Sequence, residues 1–494
     1  MFMQLYPRWA DRISPARIIL PGSVTAMDRA QAFADATPLS FWLDDRTAPA
    51  PAPPLVGPTS ADLVVVGGGY TGLWAALMAK SDAPSTDVVV LESDRCGWAA
   101  SGRNGGFCAA SITHGLSNGI ERFPEEIHTL ERLGRENLDA IEATVVDEGI
   151  ECDFERTGEL DVATEPHQVG WLREAEAQAR QHGGSPVFLD RDELQADIHS
   201  PTFLGGLWDP DSCALVNPAR LAWGLRAACE RAGVRIYEHS PVDGLVPDGP
   251  GSGTPMLVLT AHGRVACPRV VLATNASPSP VKRLRKYIVP VYDYVLMTEP
   301  LSPAQTQAIG WERRQGIGTM GNQFLYYRRT SDDRILFGGY DAIYHYGNAM
   351  SPSLEQRPAS FTQLSTLFVQ TFPELEDVRF THSWSGAIDT CARFCVFFDR
   401  SFDGRVASAS GYTGLGVGAS RFGARVALDL VSGAETELTR LRFVQRKPIP
   451  FPPDPIRSIG INLTRWSLAR ADSNEGKRNL WLQTLDAAGL GFDS

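Results

Sequence analysis

One hexapeptide constrains this chain more than any other. Gly67-Gly68-Gly69-Tyr70-Thr71-Gly72 stands between the apolar run Leu63–Val66 and a stretch that reads at once as a helix. Strand, glycine turn and helix open a dinucleotide-binding βαβ unit. The strand at 87–93 completes it, with the acid Glu92 standing 20 residues after Gly72. Each residue type has a physical task there. Gly67 permits the tight turn, and Gly69 lets backbone N–H groups approach a pyrophosphate at a helix N-terminus. Gly72 allows the helix to pack closely on the strand. Glu92 accepts hydrogen bonds from a ribose hydroxyl. Tyr70, Thr71 and Ser93 belong to the same expected nucleotide-binding set. The fingerprint alone leaves NAD and FAD open.

The following segment narrows that choice. Residues 96–107 read CGWAASGRNGGF, a second run of small residues close behind Glu92 and suited to the far half of a long cofactor. With this run, with VVLATN at 270–275 and with GYTGLG at 411–416, the sequence resembles the FAD-dependent D-amino-acid oxidase superfamily over about 60–433. The wording ASGRNGGF is most similar to the γ-glutamylputrescine oxidase branch. The resemblance implies non-covalent FAD. It places Ala100, Ser101, Gly102, Arg103, Asn104, Gly105 and Gly106 beside the phosphates, ribityl chain and isoalloxazine. It sets Val242 at the adenine and has Ala273 and Thr274 close the nucleotide pocket. It puts Gly386 near the flavin, with Thr413, Gly414, Leu415 and Gly416 at the N1/O2 edge, where a helix start faces developing negative charge. Some members tether flavin through a histidine or cysteine. Cys96, Cys391 and Cys395 match no such pattern and are expected to be bystanders.

Oxidation of a C–N bond requires a neutral amine, whereas a free alkylamine has a pKa of about 10.4. An aromatic pocket supplies the necessary desolvation. Tyr294, Tyr327 and Trp384 are the expected pocket walls, His114 a pocket or loop contact, and Asp341 an anchor for a distal ammonium. Two departures from the resemblance bear on the substrate and the acceptor. Ile388 falls where amino-acid-oxidising members offer an arginine, leaving Arg328 and Arg393 as possible substitutes. Phe337 falls where sarcosine-oxidase-type members place a lysine that speeds reaction with O2. The first shifts the expectation from a simple α-amino acid to an amine or amino-conjugate; the second weakens the case for fast oxidase turnover and leaves O2 or another electron acceptor open. An amino-acid oxidase, an NAD(P)H-dependent flavin monooxygenase and a flavin-binding module without turnover remain alternatives. No second strand–GxGxxG–helix supports the monooxygenase, since the glycines at 249–253 have no helix after them.

The fold expectation is α/β: a discontinuous Rossmann-like FAD-binding domain with an inserted α+β substrate domain containing a mostly antiparallel sheet. The FAD-binding domain is expected at 61–155, 201–289 and 381–433, and the substrate domain at 156–200 and 290–380. An N-terminal arm and proline-rich linker occupy 1–60, with SFWLD at 40–44 as the docking segment, and a tail occupies 434–494. Composition excludes other classes. Lys plus Arg is 46 against 58 Asp plus Glu, a net charge of −12 without a basic block, which disfavours nucleic acid. No apolar run is long enough to span a membrane. Eight scattered cysteines without CxxC fit reduced thiols and a cytoplasmic location. No HExxH or clustered ligand set suggests a metal, and no GxSxG elbow suggests a hydrolase. Oligomeric state is left open.

Overall fold

The computed structural model describes residues 26–249 and 254–490. The first 25 residues of the expected N-terminal arm, residues 250–253 of the glycine loop and the last four residues lie outside them.

The glycine fingerprint sits on a six-stranded sheet in the order 397–401, 406–410, 269–272, 63–66, 88–91, 235–237. All pairs are parallel except the edge pair of Phe397–Ser401 with Val406–Ser410. The runs LVVV, VVVL and RVVL are almost wholly apolar because both faces of this sheet are covered. Side chains alternate between the two sides. Leu63, Val65, Val88 and Val90 pack against the helices Tyr70–Asp82, Pro218–Arg231 and Gly416–Ser432. Val64, Val66 and Val89 pack against Met256, Val258 and Val265 of a four-stranded sheet. That second layer contains the hairpin of Met256–Thr260 with Gly263–Cys267.

The other large element is a nine-stranded sheet, antiparallel except where Gly316–Thr319 runs parallel to Glu159–Ala163. Its longest pairing joins Val289–Thr298 to Phe380–Thr390. The helix Pro358–Thr371 covers one face, and Phe361, Leu364 and Phe368 complete an aromatic-rich core there. Two strands depart from the expected domain division. Gly205–Asp209 and Phe380–Thr390, both assigned to the nucleotide domain, pair within this large sheet. Both carry apolar residues that need a partner sheet, and neither has a neighbour in the parallel one.

Described segments on either side of the two large sheets, 40–44 and 450–490, fold onto this frame. Within the expected docking segment, Ser40 donates to the Gly102 carbonyl at 2.8 Å and the Trp42 indole N–H to the Asn104 carbonyl at 2.9 Å. Beyond residue 433 the chain is not a loose tail. After the proline-rich stretch it forms the helices Ile456–Asp472 and Leu480–Ala487. Asp472 accepts from the backbone N–H groups of Asn322 and Gln323 at 3.0 and 2.9 Å, and Asp454 accepts from the Tyr344 hydroxyl at 2.8 Å. These bonds seat the helical pair on the large sheet. Among the described residues, no helix is long and apolar enough to cross a membrane.

Candidate functional site

A cleft of about 1480 Å³ runs between the two large sheets. Gly67, Gly69, Tyr70 and Thr71 form part of its wall. Gly67 has φ 110°, and a Cβ there would lie 2.4 Å from the Ala273 carbonyl oxygen. A Cβ on Gly72 would lie 1.8 Å from the Gly67 carbonyl oxygen, so Gly72 serves close packing and does not line the cleft. The helix that follows has Gly69 at its N-cap and no side-chain cap. The Tyr70 N–H donates to Ser101 Oγ at 3.0 Å, while the Tyr70 hydroxyl is turned into the core and donates to the Pro218 carbonyl at 2.7 Å. Glu92 follows directly on the next strand, Val88–Leu91. One oxygen accepts from the Gly68 N–H at 2.6 Å and the other from Ser93 Oγ and the Asp94 N–H, both at 2.9 Å. Glu92, Ser93, Val242, Ala273 and Thr274 line the same end of the cleft.

The segment 100–106 crosses the middle. Asn104 ties it together, donating to the Ala100 and Ser101 carbonyls at 2.9 and 3.1 Å and accepting from the Gly106 N–H at 2.8 Å. Ala100, Ser101, Arg103, Asn104 and Gly105 face the cleft. Gly102 and Gly106 do not. They let the segment pack against Leu43 and against the Val216 carbonyl and Arg328.

Opposite, Thr413, Gly414, Leu415 and Gly416 line the cleft at the start of a second helix without a side-chain cap. Thr71 Oγ1 donates to the Tyr412 hydroxyl at 2.8 Å, joining the two helix starts. Beneath this loop lies Asp389, accepting from the Gly411 and Tyr412 N–H groups at 2.6 and 3.2 Å. With its amide nitrogen toward the carboxylate, Asn275 adds contacts of 3.0 and 2.9 Å. Burial pushes the Asp389 carboxyl up to about 7 against these stabilising N–H bonds. Two helix starts whose N-cap residues supply no side-chain bond, and a glycine wall facing the same cleft, fit the anionic middle and the electron-accepting edge of FAD. The thiols of Cys96, Cys391 and Cys395 are buried and do not line it.

The remaining wall differs from expectation. Tyr294, Tyr327 and Trp384 are almost fully buried, and none lines the cleft. Tyr294 donates to the Leu354 carbonyl at 3.0 Å, Tyr327 stacks on Phe337 with centroids 5.0 Å apart, and Trp384 donates to the Arg103 carbonyl at 2.8 Å. These are core aromatics, as the alternation of a strand allows: Tyr327 faces inward and its neighbour Tyr326 faces the cleft. Phe337 points into the same core. Asp341 lines the cleft, but Arg357 and Ser360 hold one carboxylate oxygen at 2.8 and 2.6 Å and Arg465 approaches the other at 3.4 Å. A carboxylate already paired with Arg357 and approached by Arg465 is poorly disposed to hold an ammonium as well.

Ile388 and Gly386 line the cleft. Arg328 and Arg393 do not take the missing arginine's place. Arg328 donates to the Val216 carbonyl at 2.6 Å, and Arg393 to the Phe443 and Arg446 carbonyls at 3.0 and 2.8 Å. His114 reaches the cleft with φ 63°, and burial pushes its imidazole down to about 4.

Sequence reasoning did not single out Asp293, Asp389 or the C-terminal helices. Asp293 lines the cleft and accepts from the Tyr326 hydroxyl at 2.5 Å. Burial pushes its carboxyl up to about 7. The signal for both acids was present, since each is a lone charge inside an apolar strand, VYDYV and GAIDT.

Comparison with known proteins agrees with this geometry. The family described as FAD dependent oxidoreductase matches residues 62–430. A probable oxidoreductase, OrdL, of Haemophilus influenzae is 30% identical over 81% of this chain and 89% of its own. The gamma-glutamylputrescine oxidoreductase of Escherichia coli is 29% identical over 79% of this chain and 88% of its own. Glycine oxidase from Geobacillus kaustophilus superposes with a TM-score of 0.65 at 21% identity, covering 79% of this chain and all of its own. With fingerprint, second glycine wall and family match in agreement, the chain belongs to the FAD-dependent oxidoreductases.

Proposed function

We propose that this enzyme oxidises the C–N bond of a small amine or amino-conjugate, giving an imine that water hydrolyses to an aldehyde or ketone. FAD, when bound, accepts the hydride equivalent. Gly67, Gly69 and Thr71 hold its diphosphate, Glu92 its ribose and Val242 its adenine. Ala100–Gly106 and Thr413–Gly416 bracket its flavin. Attachment is non-covalent, in keeping with the absence of Cys96, Cys391 and Cys395 from the cleft wall.

The chain's own task is to present a neutral amine. Tyr292, Tyr326 and Tyr340 line the same cleft as the segment 103–105. Desolvation there lowers the amine pKa from about 10.4 toward working pH. Asp293 and Tyr326 form a fixed polar pair in that wall and orient the nitrogen. The reading is carried by Ile388. Where an α-carboxylate anchor would stand, the cleft wall is aliphatic, and Arg328 and Arg393 are both committed to backbone carbonyls. The kinship with gamma-glutamylputrescine oxidoreductase and with sarcosine oxidase subunits supports oxidation of a C–N bond. The acceptor is O2 or another oxidant. Among the described residues, no lysine lines the cleft, which favours slow reaction with O2.

The test is the visible spectrum of the purified protein without oxygen. Bleaching of the flavin band by amines, without NADPH, is the expected result. Bleaching by NADPH alone would replace this reading with a monooxygenase or reductase.

A further inference from the structure

The family match ends at residue 430, yet the cleft does not. Pro450–Pro452, the helix Ile456–Asp472 and Trp481 form one of its walls. This wall is held in place: the Phe451 N–H donates to the Lys286 carbonyl at 2.8 Å, and Arg457 donates to Asn348 at 2.6 Å.

Two guanidiniums of this helix reach the cleft, and they differ. Arg457 donates from Nε to the Pro452 carbonyl at 2.9 Å and from Nη1 to Asn348, with Asp454 at 3.9 Å, and its side chain is only 13% exposed. Arg465 has one hydrogen-bond partner among the described residues, an Asp341 oxygen at 3.4 Å. Asp341 is itself neutralised by Arg357 at 2.8 Å and bonded by Ser360 at 2.6 Å. Two guanidiniums against one carboxylate leave a net positive charge. The Arg465 side chain is still 36% exposed. Burial pulls its guanidinium down from the ordinary value; Asp341 opposes that and Arg357 adds to it. A cation in this setting lacks a full counter-charge, and a planar fork of donors suits a carboxylate best.

We propose that Arg465, carried into the cleft by the C-terminal helix, is the specificity-determining anchor for an anionic group, a carboxylate, on the substrate. The preferred substrate is then an amine whose carboxylate lies away from the oxidised carbon. This rests on the amine-oxidation reading for the identity of the other end, but the anion site itself can be read without turnover.

The probes are hexanoate and hexanamide, equal in size and different in charge. Each is titrated into the flavin-loaded protein, followed by the flavin absorbance band and by the unfolding midpoint. Hexanoate is expected to bind at least tenfold more tightly than hexanamide. Arg465→Met should abolish that preference and Arg465→Lys retain part of it. Arg470→Met, on the same helix but outside the cleft wall, should keep it. In turnover, Arg465→Met should raise KM for 6-aminohexanoate by tenfold or more with kcat little changed, and leave hexylamine unaffected. Equal binding of the two probes by the wild type overturns the proposal, whatever the variants do. So does an undiminished preference in Arg465→Met. Should no amine bleach the flavin while hexanoate binds through Arg465, the anchor stands and the amine reading falls.

Discussion

Tyr326 donates its hydroxyl proton to Asp293 at 2.5 Å from a strand two places away in the large sheet, and its ring lies so close to Gly105 that a Cβ there would be 2.8 Å away. The pair therefore couples the large sheet to the glycine wall. Asp293 is held near 7 by burial, against an ordinary 3.8, and the Tyr326 bond works in the opposite direction. Between those two values the folded chain keeps a proton that the unfolded chain has released, so the Asp293 contribution to stability is lost as pH rises from about 4 to about 7 and is constant above. Each pKa unit is worth about 1.4 kcal/mol. Asp293→Asn removes this slope. The difference in unfolding midpoint between variant and wild type should grow in the variant's favour through that window. In Tyr326→Phe the window should extend above pH 7, because the bond that favours the carboxylate is gone. A difference curve that is flat from pH 4 to 8 would refute the assignment.

Asp389 does for the second glycine loop what Tyr326 and Asp293 do for the first. Its carboxylate receives the Gly411 and Tyr412 N–H groups. Removing a buried acceptor from paired donors costs about 1–3 kcal/mol. Asp389→Ala should therefore weaken retention of FAD by roughly tenfold to a hundredfold, measured as the flavin-to-protein absorbance ratio after gel filtration. Asp389→Asn, which keeps one acceptor oxygen, should fall between.

The two glycine segments fail in different ways when altered. A Cβ at Gly72 meets the Gly67 carbonyl at 1.8 Å, so Gly72→Ala must displace backbone and should yield protein without flavin, or none that folds. Gly414 has φ 97° with open space around it. For the protein itself Gly414→Ala incurs the conformational penalty of about 1–2 kcal/mol, and its methyl would stand in the cleft wall proposed to face the flavin. It should fold, bind FAD a few-fold more weakly, and show a modest drop in unfolding midpoint.

How much of this was legible in the sequence depends on the range of the interaction. The nucleotide end was readable because its residues are consecutive: Gly67 to Gly72, Glu92, and the run through Gly105 impose local geometry that few other folds need. The substrate end was not. Tyr326 and Tyr327 are adjacent, and a one-residue shift of phase decides which lines the cleft and which stacks on Phe337. Asp341 looked free because its partners Arg357, Ser360 and Arg465 lie 16 to 124 residues away. The helices beyond residue 450 looked like a tail because their anchors, Asp454 and Asp472, bond residues more than a hundred positions earlier.

The division between core and cleft can be tested on the tyrosines themselves. The Tyr327 hydroxyl is buried and has no hydrogen-bond partner among the described residues. A buried hydroxyl without a partner costs free energy that its removal returns. Tyr327→Phe should hold or raise the unfolding midpoint, with an effect on the order of 1 kcal/mol, and leave kcat and KM unchanged. Tyr294→Phe loses its bond to the Leu354 carbonyl and should lower stability by about 1 kcal/mol, again with normal kinetics. Were either residue a pocket wall, its hydroxyl would meet substrate, and the phenylalanine variant would change KM while stability stayed put. Measured side by side, the unfolding midpoints and the two kinetic constants separate these cases, because a core residue moves the first and a wall residue moves the second.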